Sequence, residues 1–196
     1  MPKTQKQCDQ IKETTKQNII DKSILYFSRN GFSGTKISDL AKYIGIAQGS
    51  IYNYFESKEA LYHEIHNIVN SQDLRPMKQL VKLPISAKMK IEQLSKYLIK
   101  HLKEDQKFAA VMTLSTQHIL ESEDGTISSS TYQCEAYQLL KMIIEQGQKE
   151  QTVVDGDVMK LVDYYWGVVY LYALKKLFTK DFIMINKEDL SRLLLK

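Results

Sequence analysis

Apolar positions recur at three- and four-residue spacing along almost the whole chain, the period of an amphipathic helix, and no stretch alternates convincingly at the period of a strand. Ile20, Ile24 and Phe27 mark one face of a first helix expected from Asp9 or Gln10 to Asn30, with Gly31 as its stop. The residues before it read as a basic polar arm without order of its own. Ile37, Leu40, Ala41 and Ile44 then give the face of a short second helix, and Gly45 follows at once. Glycine takes the left-handed conformation without a Cβ clash and so ends helices readily. Apolar spacing resumes at Ile51 and Phe55, before Ser57 offers an N-cap for a helix from Lys58 that carries Leu61, Ile65 and Ile68 and ends before Arg75-Pro76.

The remainder reads as a helical body. Ser86 is placed to cap a helix carrying Ile91, Leu94, Leu98 and Leu102, and a further helix from Gln106 carries Phe108, Val111, Met112, Ser115 and Ile119. Asp124 to Ser130 is a polar loop. Thr131 to Lys149 carries Tyr137, Leu140, Ile143, Ile144 and Gly147, and Thr152 to Asp157 is a turn. From Asp157 to Thr179 apolar residues fall on nearly every face, Tyr164, Tyr165, Trp166, Val168, Val169, Tyr170 and Leu171 among them. A helix apolar all round is buried all round. A body of so few helices covers it poorly alone, which favours a partner subunit over a central core helix of a monomer. A short helix from Lys187 to Lys196 with Leu190, Leu193 and Leu194 closes the chain. The fold class is all-α.

Two helices as short as those around Gly45 are unstable alone, since isolated helices under about 12–15 residues are marginal in water. They therefore pack on their neighbours, and the arrangement is a helix-turn-helix. Its second helix buries Ile51 and Phe55 and leaves Gln48, Gly49, Ser50, Tyr52, Asn53 and Tyr54 for its other sides. A surface helix with no nucleic acid to meet more commonly carries Glu and Lys there. Neutral donors and acceptors suit base edges and phosphate oxygens, and a glycine lets the backbone approach a phosphate, helped by the positive end of the helix dipole. The competing reading is a small solvated helix of an all-α core.

Gly31-Phe32, Thr35, Leu40-Ala41, Gly45-Ile46, Gly49, Ile51-Tyr52-Asn53-Tyr54-Phe55 and Lys58-Glu59-Ala60-Leu61 resemble the N-terminal DNA-binding domain of the TetR family of bacterial regulators. The resemblance runs from about Ile19 to Leu61. It is specific because the spacings of glycines, aromatics and lysine are fixed together. Ala47 departs from it, since the family has Ser or Thr at that N-cap, and a lost cap costs about 0.5–2 kcal/mol locally. The resemblance implies a DNA-binding domain over residues 10–60, with its motif at about 36–55, and a helical ligand-binding and dimerisation domain over 61–196. It makes Gln48, Ser50 and Asn53 candidates for base edges, and Thr35, Lys36, Tyr52, Tyr54, Lys58 and the backbone of Gly49 candidates for phosphates. It also implies a homodimer through the last two helices, a palindromic operator in double-stranded DNA, and a small-molecule effector that is largely apolar. Met112, His118, Tyr137, Trp166 and Tyr170 are the body residues to consider as its lining, each against the plainer reading of core packing.

Composition changes this picture little. At 196 residues the chain can bury a real core, and its net charge of +4 is modest, with +3 of it before residue 64. Cys8 and Cys134 offer neither a disulfide framework nor metal-ligand spacing. The polar start lacks the apolar core of a signal peptide, and the longest apolar run, Tyr164 to Leu174, is 11 residues, short of the ~20 that span a bilayer. A cytoplasmic protein without a membrane partner is expected. Catalysis, a metal and a cofactor are not: His63 and His66 lack a third ligand, and Glu121, Glu123 and Asp124 read as a solvated acidic helix end. The function implied is a repressor that leaves its operator when a ligand occupies the body. Two alternatives stay open, an activator or ligand-dependent binder of the same family, and a helical small-molecule-binding module that has lost DNA binding, which Ala47 mildly favours.

Overall fold

The computed structural model describes residues 4–70, 74–120 and 133–196. The polar loop expected at Asp124 to Ser130, and the acidic residues Glu121, Glu123 and Asp124, lie outside them. Among the described residues the chain is helical apart from one isolated antiparallel bridge, Val153 to Leu195. It divides into two compact units, Met1–Ser71 and Gln72–Lys196, so the helix that follows the motif belongs with the first unit.

In the first unit α1 runs Gln5–Asn30, α2 Ile37–Ile44, α3 Gln48–Tyr52 and α4 Lys58–Asn70. α1 starts earlier than its apolar face suggests, so the disordered arm expected up to residue 9 is a helix from residue 5. The reason is a capping box: Thr4 N–H donates to Gln7 Oε1 at 2.9 Å, and Gln7 N–H donates back to Thr4 Oγ1 at 3.4 Å. Burial begins only at Ile19 and continues through Ile20, Ile24 and Phe27. Gly31 ends the helix at φ +67°, a left-handed value that a side chain would strain. Gly45 does the same for α2 at φ +86°, and the Lys22 ammonium donates to the Ile44 carbonyl at 2.8 Å beside it. α4 is capped by Ser57, whose Oγ accepts from Ala60 N–H at 3.1 Å. It buries Leu61, Ile65 and Val69, with Ile68 only half-buried. Phe27, Phe32 and Tyr62 close this small core, with Tyr62 5.1 Å and 4.7 Å from the other two ring centroids.

The second unit holds α5 Arg75–Lys82, α6 Ala87–Glu104, α7 Gln106–Leu120, α8 Glu135–Lys149, α9 Val158–Phe178 and α10 Lys187–Ser191. α5 has no counterpart in the sequence reading. Pro76 stands in its first turn, where a missing N–H costs nothing, and Met77 and Leu80 anchor it. Ser86 caps α6 as expected, its Oγ accepting from Met89 N–H at 3.3 Å. Asp105 separates α6 from α7 and accepts from the Lys107 and Phe108 N–H groups at 2.8 and 3.1 Å. α9 packs on α7, α8 and α6, while α10 packs on α6.

Several polar groups inside this unit are tied off locally. Lys90 is buried on α6, and its ammonium donates to the Val81 carbonyl at 2.6 Å and to Gln146 Oε1 at 2.8 Å. Gln146 reaches on to the Ile85 carbonyl at 3.0 Å, so one lysine and one glutamine join the α5–α6 turn to α8. Glu150, hydrogen-bonded first by Gln146 and then by the Ala87 N–H, is held below the ordinary carboxylate range. Tyr165 is fully buried and meets Ser95 at 2.9 Å, and burial pushes its phenol well above the usual value.

Within its own unit α9 is covered on one side only, as expected of a helix too apolar for so small a body to cover. Leu161, Val162, Tyr165, Trp166, Val169, Ala173 and Leu177 are buried. Tyr164, Leu171 and Phe178, each seven residues from the next, are 59, 47 and 55 % exposed and make an apolar stripe along the other face. α10 has five residues, and Leu190 and Leu194 are buried within their own unit.

Candidate functional site

The local sequence explains the shape of the reading element. Gly45 turns the chain at the end of α2, Ile46 N–H returns to the Ala41 carbonyl at 3.0 Å, and α3 starts two residues later. Ala47 sits in the extended N-cap conformation but offers no side-chain hydrogen bond. Gly49, Ser50 and Asn53 are weak helix formers, so α3 stops at Tyr52. Ile51 and Phe55 are buried and fix its inner side.

Gln48, Gly49, Tyr52 and Asn53 are exposed on the outer side, Tyr52 by 47 %, while Ser50 and Tyr54 are half-buried. Nothing stands within 4 Å of a Cβ built on Gly49, so its backbone is open to close approach. Lys36 is also exposed, and with Ser38, Gln48 and Tyr52 it borders a shallow concavity at the start of α2 and α4. Lys58, Glu56 and Glu59 line it too, and Glu59 is lowered from its usual value by its own backbone N–H and the Ser57 hydroxyl.

Two of the residues named for phosphate contact are engaged inside the unit. Thr35 is 2 % exposed and its hydroxyl donates to the Gly31 carbonyl at 2.7 Å. Lys58 donates to the Phe32 and Thr35 carbonyls at 3.1 and 3.2 Å and sits 4.1 Å over the Phe32 ring. Both residues hold the connection between α1 and α2 against the start of α4. The Thr35 hydroxyl and the Lys58 ammonium meet these acceptors because the loop after Gly31 leaves carbonyls that need donors.

The second unit contains a cavity of about 430 Å³ between α5, α6, α7 and α9. Met112 and Trp166, two of the five body residues named from the sequence, line it. Tyr137 and Tyr170 do not. They stack on Trp166 instead, with ring centroids 6.3 and 6.0 Å away, and burial followed by the neighbouring Tyr137 pushes the Tyr170 phenol well above its ordinary value. The His118 side chain lies outside the described residues. The sequence reading missed Met77 and Leu80 on α5 and Gln93 and Tyr97 on α6, which complete the wall. The apolar pair after Pro76 was the available signal. Among the described residues no cluster of His, Cys, Asp or Glu could hold a metal ion, and no helix is long and apolar enough to cross a membrane.

A short helix with a neutral polar outer side, held by a glycine turn on a small three-helix core, defines a helix-turn-helix domain. Residues 19–65 match the profile of bacterial regulatory proteins of the tetR family, about a quarter of the chain. Over 49 residues it is 41 % identical to the biofilm operon icaADBC negative transcriptional regulator IcaR of Staphylococcus aureus, covering 25 % of this chain and 26 % of that one. The match thus spans about a quarter of the length of the curated relatives. A TetR-family transcriptional regulator from Agrobacterium tumefaciens has the same fold at 15 % identity, with a TM-score of 0.66 over 92 % of this chain and 95 % of its own. FadR from Bacillus subtilis, solved in complex with stearoyl-CoA, gives a TM-score of 0.59 at 21 % identity over 90 and 93 %.

Proposed function

We propose that the protein is a homodimeric, sequence-specific DNA-binding regulator whose hold on its operator is relieved by a small molecule in the second unit. The observation that carries the DNA-binding part is the outer side of α3: exposed Gln48, Tyr52 and Asn53 and an open Gly49 backbone over buried Ile51 and Phe55. Gln48 and Asn53 offer amide donors and acceptors to base edges, with Ser50 beside them. Lys36, Tyr52, Tyr54 and the Gly49 backbone meet phosphates. Thr35 and Lys58 support that surface from within.

Release as the ligand response draws on the IcaR relative, which is a negative regulator, and on the FadR neighbour, which holds an acyl ligand in the same fold. The seven-residue stripe on α9 supports pairing of two copies. Pairing presents two reading helices, which suits two half-sites about one DNA turn, roughly 34–36 Å, apart. A ligand lowers operator affinity only by its preference for a dimer with another spacing.

The test is to select duplexes from a random pool with the full-length protein and measure binding across a salt series. Lys36→Ala is expected to weaken all duplexes alike and reduce the salt slope by about one. Gln48→Ala is expected to flatten the preference among duplexes at a cost of about 1–3 kcal/mol on the best one. Wild-type protein that enriches no sequence would overturn the reading in favour of a module without DNA binding.

A further inference from the structure

Six positions of α9 are exposed: Lys160, Tyr164, Gly167, Leu171, Leu174 and Phe178. Their spacing alternates strictly between four and three residues, the pattern of a seam along which two helices pair. Lys160, at one end, carries the only charge in the row. Gly167 is the anomaly. It stands in the interior of a helix of 21 residues, where glycine is disfavoured relative to alanine by about fivefold in the helix equilibrium. Its own chain supplies no reason for it: the backbone is helical, and no atom of the described residues stands within 4 Å of a Cβ built there. Gly147 on α8 is the contrast, since its missing Cβ makes room for Val153 and Ala87. The surface over Gly167 is open to a neighbour from outside the chain.

We propose that two copies of this chain cross at Gly167, α9 against α9, with the glycine of each on the two-fold axis and the two helix backbones in contact there. This inference rests on the reading of the protein as a homodimer and adds the residue on which the pair turns. On a two-fold axis a residue meets its own copy, so the surface has to fit itself. The row does so. Its crossing residue has no side chain, while Tyr164 and Leu171, on either side of it in the same row, are large enough to close over the contact. Helix axes pack roughly 8–10 Å apart depending on the side chains between them, and a glycine on each copy brings this pair to the near end of that range. A row with one charge, placed at its end, suits a second such row and not a charged partner.

Disulfide capture in the full-length protein tests it. Cys8→Ser and Cys134→Ser first remove both native thiols, which are exposed. In that background Gly167→Cys puts two cysteines within the roughly 4.4–6.8 Å between Cα atoms that a disulfide spans. Met142→Cys, on an exposed position of α8, is the control for chance collision. Gly167→Cys is expected to cross-link into a dimer at least about tenfold faster than Met142→Cys. Sedimentation equilibrium gives the second measurement. Gly167→Leu is expected to weaken the dimer at least about a hundredfold, although leucine favours the helix of each subunit and its melting as a dilute monomer should not fall. A glycine with no partner over it gives the opposite pattern, a firmer subunit and an unchanged dimer. Three results overturn the crossing and leave the homodimer standing: no cross-link at Gly167→Cys in a protein that sediments as a dimer, equal cross-linking at Met142→Cys, or a Gly167→Leu dimer as tight as wild type. A wild type that stays monomeric at every concentration overturns both.

Discussion

Lys58 shows how a lysine named for phosphate contact can also be engaged within its own unit. A lysine just after a recognition helix invites a phosphate, yet its ammonium is spent on the Phe32 and Thr35 carbonyls and the Phe32 ring. Lys58→Met is therefore expected to destabilise the first unit by about 1–3 kcal/mol, the cost of leaving those carbonyls unmet, as read by thermal or urea denaturation. Its salt slope on DNA should stay at the wild-type value, in contrast to Lys36→Ala. A slope reduced by about one with unchanged stability would return Lys58 to the phosphate contacts. The sequence could not separate the two roles, because which carbonyls lack donors depends on how the loop after Gly31 comes back against α4.

At the scale of elements, the joints between helices decide more than the helices do. Gly147 on α8 is buried, and a Cβ there would fall 2.2 Å from Val153 Cγ2 and 3.0 Å from Ala87 Cβ. Gly147→Ala should cost about 1–3 kcal/mol through overpacking, and adding Val153→Ala should recover much of it. Calorimetry of the single and double variants checks the coupling, and equal melting of Gly147→Ala and wild type would refute it. The apolar rows of α2, α4, α6 and α8 were legible because each buries one face at helical spacing. α5 was not, since eight residues with two buried positions carry too short a pattern to separate from a loop. The start of α1 escaped for a related reason: a capping box of Thr4 and Gln7 makes a helix where no apolar face exists.

For the whole molecule, the consequential surface is the stripe of Tyr164, Leu171 and Phe178. Pairing two such stripes removes three large side chains of each copy from water, on the order of 1.5–3 kcal/mol for each one fully covered. The double variant Leu171→Glu with Phe178→Glu is expected to run as a monomer in sedimentation at concentrations where the wild type is a dimer. It should also lose tight binding to a two-half-site duplex while keeping a folded first unit. A wild-type monomer, or a double variant that stays dimeric, would contradict the proposed pairing.

Periodicity alone determined that the chain is all-α, where most helices lie, and that the segment from Gln48 turns a neutral polar side outward. Those are local properties, set by spacing along the chain and by glycines that only one backbone conformation suits. The tertiary structure decided how the candidate residues are engaged: Lys36 exposed but Thr35 and Lys58 hydrogen-bonded to loop carbonyls, Trp166 on a cavity wall but Tyr137 and Tyr170 stacked behind it. Such assignments depend on neighbours distant in sequence, since a donor is available only where the fold has left it no acceptor, and no pattern of one chain segment contains that information.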